Sequence, residues 1–416
     1  MSISKRIASL QPSATLRINE YSNHLAQQGK EIFRLGFGQS PFPVPTSIVE
    51  QLKIHAHCKE YLPVRGHFGL REIVANYYQR TQGIECTYEN VLIGPGSKMY
   101  LFIALMAYEA DLLLPAPGWV SYAPQALIAN RETHWIDTTE ENSWKLMAED
   151  LEEFCQNHKK PKILLLNYPN NPTGTTYQPN ELKALAKVAR QHQIIVLSDE
   201  IYGELNHEGK HESIARYYPE GTIINSGLSK WAGAGGWRVG TILVPKELNK
   251  LRDVMATIAS ETFTTASAPI QHASVRAFED TADLEDYRIQ SRQVLKTIGN
   301  YCHGQLSAMK ITTPAPEGGF YSFINFENYR SEFARKGILT SEALGNAILN
   351  ETGVALLPGT DFGRKAHEFL FRMAYVDFDG TKALEYLQSN SINDDLVNAC
   401  APRVVKAMER LGNWLN

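Results

Sequence analysis

The first half of the chain carries short, mostly apolar runs at Val91–Ile93, Asp111–Pro115, Ile163–Leu166, Ile194–Leu197 and Ile223–Ile224. The runs at Ile163 and Ile194 are continuous rather than alternating, which marks strands buried on both faces of a parallel sheet. Between them the period changes to that of helices. Arg17–Gln28 is helical in spacing and ends at Gly29. Thr46–His57 follows with Thr46 as N-cap, then Leu70–Gln79 and Met99–Tyr108. A helix capped by Asn180 carries Leu182, Leu185, Ala186 and Ala189 on one stripe, so residues 163–197 read as a right-handed βαβ unit. Ile32–Phe37 reads as a short strand, and residues 250–300 as a long, charged, amphipathic helical region. From Ile311 the chain turns to short strands. Gly318–Ile324 alternates, Ser341–Glu351 is a helix, Val354–Leu357 and Phe369–Tyr375 are strands, and Asp395–Leu415 is an amphipathic helix. Strands and helices alternate over the first part, so the fold class is α/β.

Composition narrows the function classes. The 416 residues suffice for a large core and two lobes. Net charge is −4, with no long run of one sign, so neither nucleic acid nor a membrane surface is implied. The five cysteines are scattered without a CxxC pair, which fits a reducing compartment and no zinc ribbon. The N-terminal stretch is polar and broken by Pro12, unlike a signal peptide, and no apolar stretch is long enough to span a bilayer. These features point to a soluble cytoplasmic protein.

The candidate chemistry gathers after the strands. Asn171, Asp199 and Lys230 each follow an apolar run, where open α/β sheets bind ligands. Lys230 stands in Ser226-Gly227-Leu228-Ser229-Lys230, with Arg238 downstream in Gly236-Trp237-Arg238-Val239-Gly240. An amine with a lowered pKa and an arginine fork for phosphate together suggest a phosphorylated aldehyde; the stretch read alone is equally a glycine-rich surface loop with two ordinary cations. Gly94-Pro95-Gly96-Ser97-Lys98 joins strand to helix, a geometry that offers backbone N–H groups to an anion or needs glycine for φ alone; it is no P-loop, and the cluster Gly233, Gly235, Gly236 does not match GxGxxG. Asp199 reads either as a partner for a protonated ring nitrogen or as half of a salt bridge. Trp119 reads equally as a ring covering a ligand or as packed core, and Tyr61 as a core aromatic. Arg372 stands between apolar residues and wants a carboxylate.

Asn171-Pro172-Thr173-Gly174, Ser198-Asp199-Glu200-Ile201-Tyr202, Ser226-x-x-Ser229-Lys230 and Gly236-Trp237-Arg238-Val239-Gly240 occur together in this order over nearly the whole chain. The combination resembles the class I/II aminotransferases of pyridoxal phosphate (PLP) fold type I, closest in look to the bacterial aspartate aminotransferase subgroup. The resemblance implies a large domain with a mostly parallel seven-stranded sheet between helices, and a smaller α+β domain from both chain ends. The divisions are an arm at 1–44 that also joins the small domain, the PLP domain at 45–300, and the small C-terminal domain at 301–416.

It further implies that Lys230 holds PLP as a Schiff base and moves the substrate's Cα proton. Asp199 would pair with the pyridine nitrogen, Asn171 and Tyr202 with the phenolic oxygen, and Trp119 would stack on the ring. Gly96, Ser97 and Arg238 would bind the phosphate, with Lys98 beside them. Tyr61 would reach the site of a neighbouring subunit in a homodimer. Arg372 would grip the substrate carboxylate, and Gly38 belongs to a segment that closes over substrate. Thr15 and Lys98 would hold a distal carboxylate, unless Lys98 serves only the phosphate. Amino-acid and 2-oxo-acid substrates follow, with aspartate or glutamate as leading donor. Alanine or aromatic donors, or a carbon–sulfur lyase reaction, are the alternatives. The chain departs from the family pattern at Gly38-Gln39-Ser40-Pro41-Phe42, Tyr168 and Gly118, all near the substrate side.

Overall fold

The computed structural model describes residues 4, 6–8, 10, 12–390 and 395–415, with the side chains of residues 14 and 15 outside that description. Seven strands form the main sheet: β1 (Val91–Gly94), β2 (Asp111–Ala116), β3 (Thr133–Asp137), β4 (Lys162–Asn167), β5 (Ile195–Asp199), β6 (Thr222–Gly227) and β7 (Gly240–Leu243). Their spatial order is β1-β7-β6-β5-β4-β2-β3. Only β7 runs against its neighbours. Alternate residues of β4 explain its unbroken apolar run. Ile163 and Leu165 pack with Leu101, Leu105 and Met255 on one face, while Leu164 and Leu166 pack with Leu182, Leu185 and Ala186 on the other. Each such fully buried leucine contributes roughly 1.5–3 kcal/mol. The register places Asn167 opposite Asp199, and Asp199 opposite Asn225, in one row at the carboxyl ends.

A second, antiparallel sheet consists of β8 (Tyr321–Asn325), β9 (Leu357–Pro358) and β10 (Leu370–Ala374), in the order β8-β10-β9. The helix Ala282–Ala308 leads towards it. The N-terminal segment is stitched alongside by one bridge, Phe33 to Val354.

Several elements differ from the sequence reading. Ile32–Phe37 is no strand, because its pairing is limited to that bridge and to Leu35 O, which accepts from Ala374 N. Val354–Leu357 likewise contributes only Leu357 to β9. The 250–300 region is three helices, Asn249–Ser260, Ala268–Ser274 and Ala282–Ala308, interrupted where Thr264 takes a φ of 61°. Asp395–Leu415 splits at Pro402 into Asp395–Cys400 and Pro402–Leu415, since proline removes a helix donor. Thr46 is the first residue of its helix and Pro45 occupies the cap position. The helix assigned to an Asn180 cap starts at Pro179, where the Glu181 carboxylate accepts from Gln178 N. Leu70–Gln79 lengthens to Phe68–Gln82, capped by His67. The alternation expected over Gly318–Ile324 is absent in burial, since Tyr321, Ser322, Phe323 and Ile324 are all buried. β3 and β7 escape the apolar-run criterion: β3 is a half-exposed edge strand, and β7 has four residues.

Candidate active site

The carboxyl ends of β4, β5 and β6 open into a cavity of about 600 Å³. Lys98, Trp119, Asn171, Asp199, Lys230 and Arg372 line it, and so do Gly38, Ser97, Tyr202 and Arg238. Gly96 lies just behind the wall. Tyr61 is elsewhere, and its 88% exposure overturns the core reading, because among the described residues no apolar surface covers the ring. Thr15 falls in the helix Ala14–Gln27 by its backbone, but its side chain lies outside the described residues.

Asp199 ends β5 and is buried. Its carboxylate accepts from the Tyr122 hydroxyl at 2.8 Å and from Asn225 Nδ2 at 3.0 Å. Among the described residues no lysine or arginine pairs with it, so the salt-bridge alternative is not realised. Burial pushes its pKa up to about 6, partly offset by these two donors. A buried acid at a cavity wall with donors on one side is arranged to meet a proton from the other.

Lys230 Nζ donates to Gly38 O at 2.8 Å and sits over the rings of Tyr202 and Phe320. Asn171 Nδ2 donates to the Tyr202 hydroxyl at 3.4 Å, and that hydroxyl bonds the Tyr321 hydroxyl at 2.9 Å. Position 38 must be glycine here: a Cβ would come within 2.1 Å of the Tyr321 hydroxyl.

Arg372, in the middle of β10, is 2% exposed. It donates to Asn171 Oδ1 at 3.0 Å and to Gly36 O at 2.7 Å. Its Nε is buried without a partner. Among the described residues no carboxylate lies within ion-pairing distance of it. Burial lowers its pKa, with Tyr321, Tyr202 and the more distant Asp361 acting the other way.

The opposite wall offers backbone donors and cations. Gly96, at φ 91° and ψ 151°, caps the helix Ser97–Ala107, whose first N–H groups have no helical partner. Arg238, in the left-handed region at φ 54°, brings its guanidinium to where a side chain at position 96 would stand, 2.2 Å from a Cβ built there. Lys98 Nζ lies 5.2 Å from the centre of the Trp119 ring, and its pKa is drawn down by burial and by the Arg238 cation. Trp119 is half-buried at the cavity wall rather than sealed in the core.

Sequence reasoning missed three contributors: Tyr122 and Asn225 on the Asp199 carboxylate, and Tyr321 between Tyr202 and Gly38. Asn225 was traceable from its place at the end of the Thr222–Asn225 run. Tyr122 and Tyr321 reach their partners across 77 and 119 positions, with no local signal.

A helix N-terminus with an arginine, a flat indole wall, a free amine and a buried acid fit the phosphate, ring, aldehyde and ring nitrogen of PLP. The family model "Aminotransferase class I and II" matches residues 30–380. The chain is 33% identical to an aspartate aminotransferase of Geobacillus stearothermophilus over 374 residues, covering 87% of this chain and 92% of that one. It is 29% identical to an aspartate/prephenate aminotransferase of Thermus thermophilus, covering 92% and 97%. The solved structure of the Thermus thermophilus aspartate aminotransferase with maleate superposes with a TM-score of 0.85 at 26% identity, over 99% of both chains. This chain therefore belongs to the class I and II aminotransferases and is a PLP-dependent transaminase.

Proposed function

We propose that the enzyme moves the amino group of a dicarboxylic L-amino acid, aspartate or glutamate, to a 2-oxo acid in a ping-pong cycle. The observation that carries the amino-acid part of this reading is Arg372, a buried cation facing the cavity with an unpartnered Nε and, among the described residues, no carboxylate beside it; the dicarboxylic part is supported by Lys98 in the same cavity and by the names of the relatives. Leaving a charge so is costly unless a ligand carboxylate completes it.

PLP supplies an aldehyde that takes up the amino group and a ring that accepts the electron pair freed at Cα. In this reading Arg372 forks onto the α-carboxylate and orients the substrate. Lys230 Nζ takes the Cα proton and returns it, a task suited to an amine held in reach. Asp199 keeps a ring nitrogen protonated, braced by Tyr122 and Asn225. Asn171 and Tyr202 donate towards the phenolic oxygen, and Trp119 stacks on the ring. Gly96, Ser97 and Arg238 take the phosphate. Lys98 faces the distal carboxylate, since among the described residues no acid pairs with it; Thr15 would act beside it. Gly38 belongs to the segment that covers the bound substrate.

The names of the relatives support aspartate as donor. A second reading, an apolar or aromatic donor, is favoured by Leu16, which is 54% exposed and lies at the cavity wall with Val120 and Trp119. We also propose a homodimer in which the exposed Tyr61 enters the neighbouring site. The proposed domain limits are 1–44, 45–300 and 301–416. Work in the cytoplasm is supported by five free cysteines and by the absence, among the described residues, of a helix long and apolar enough to cross a membrane.

The visible spectrum of the holoenzyme with single amino acids tests the donor. Loss of the cofactor band with aspartate or glutamate, and its return with oxaloacetate or 2-oxoglutarate, is the expected result. A response to apolar or aromatic amino acids alone would move the specificity. Release of pyruvate and ammonia without an acceptor would indicate a lyase.

A further inference from the structure

His207 lies outside the cavity, yet it is 7% exposed and both ring nitrogens face backbone carbonyls. Nδ1 is 3.1 Å from Pro316 O and Nε2 is 3.2 Å from Gly319 O. Pro316 and Gly319 bracket the turn that feeds β8. That turn is the joint between the two parts of the site. Its Glu317 and Gly318 N–H groups donate to Gly174 O, just beyond Asn171, and Gly319 N donates to Leu205 O, just beyond Tyr202. Two residues after Gly319 comes Tyr321, whose hydroxyl meets those of Tyr202 and, at 3.5 Å, the Gly38 carbonyl.

Gly319 sits at φ 64° and Gly318 has no side chain, so the peptide between turn and strand takes its orientation from its hydrogen bonds alone. The His207 ring, donating to Gly319 O in one neutral tautomer and to Pro316 O in the other, adds a side-chain constraint to those backbone bonds.

We propose that His207 is a positioning residue, whose buried ring fixes the Pro316–Gly319 turn and thereby sets where the Tyr321 hydroxyl stands against Tyr202. It rests on the reading above, in which Tyr202 faces the cofactor. Two carbonyls can both be satisfied only by an imidazolium, while a neutral ring donates to one. Burial holds the ring neutral, drawing its pKa down to about 4 against the pull of the two carbonyls. The charged groups near it, Glu208 of its own loop and Lys296 of the helix Ala282–Ala308, pair with each other and act in opposite senses on the ring.

A double-mutant cycle between His207→Ala and Tyr321→Phe tests this. In the parent, His207→Ala is expected to lower kcat/KM about tenfold, chiefly through kcat. In Tyr321→Phe the same change is expected to cost less than about twofold, since the residue it acts through is already lost. His207→Gln, with an amide N–H near the Nε2 position, should recover most of the loss. The pH midpoint of the holoenzyme's visible absorption change should shift in the same direction in His207→Ala and Tyr321→Phe. If the alanine variant does not fold, His207→Asn, whose shorter amide does not reach Gly319 O, takes its place in the cycle. Equal losses in both backgrounds, or no loss in the parent, would overturn the proposal. If Tyr321→Phe alone alters neither rate nor spectrum, the Tyr202 reading of the site fails with it. If Tyr321→Phe alters both while the cycle is additive, only the role of His207 falls.

Discussion

Asp199 and Arg372 are opposite charges buried in one cavity, and neither is neutralised by the other. Each carries a cost that a ligand of opposite charge would remove, and each cost can be measured. Burial pushes the folded Asp199 carboxyl up to about 6, against about 3.9 when unfolded. A raised acid favours folding below the unfolded value, and that contribution is lost as pH rises through 6. Cofactor-free Asp199→Asn should therefore gain stability over the parent at pH 7.5, by up to about 3 kcal/mol. Denaturant melts should show the gap closing as pH falls from 6 to 4. A gap independent of pH would mean that Asp199 is not a strained acid. Arg372→Ala should raise KM about 100-fold for every amino donor alike, the cost of a forked, charge-assisted contact. A loss confined to one donor would make Arg372 a reader of side chains.

At the scale of elements, the proposed phosphate wall depends on a backbone conformation at Gly96 that favours glycine. Gly96 combines a positive φ with a guanidinium where its side chain would be. Gly96→Ala should weaken PLP binding at least about tenfold by spectral titration, because strain and displacement of Arg238 act together. Unchanged affinity would remove this loop from the site.

The strands that matter here were legible because burial on both faces leaves an unbroken apolar run, as in Ile163–Leu166. The residues that end them were legible too, because polar side chains there stand out. What stayed hidden depends on register and distance. Asp199 meets Asn225 because β5 and β6 align those two positions, and no spacing in the sequence states that alignment. β3, half-exposed at the sheet edge, offers no apolar run to read, and the Ile32–Phe37 segment reads as a strand although its buried apolar residues are held without a ladder, by one bridge and single hydrogen bonds such as Ala374 N to Leu35 O. Helix limits at Pro45 and Gln178 were missed because backbone and Glu181 do the capping that Thr46 and Asn180 were expected to do.

At the scale of the whole molecule, Tyr61 shows where a single chain stops explaining itself. A tyrosine 88% exposed is explained if a second copy receives it. Sedimentation equilibrium should give twice the 46.7 kDa of one chain. Tyr61→Phe should keep that mass and weaken PLP binding by a few-fold, the share of one hydrogen bond. A monomer of full activity would end the dimer proposal.

The central claim is that Lys230 carries the cofactor. Holoenzyme reduced with borohydride, digested and read by mass spectrometry should show the pyridoxyl group on the peptide containing Lys230, with Lys230→Ala showing none there. Label on Lys98 or on another lysine, with Lys230 unmodified, would contradict it.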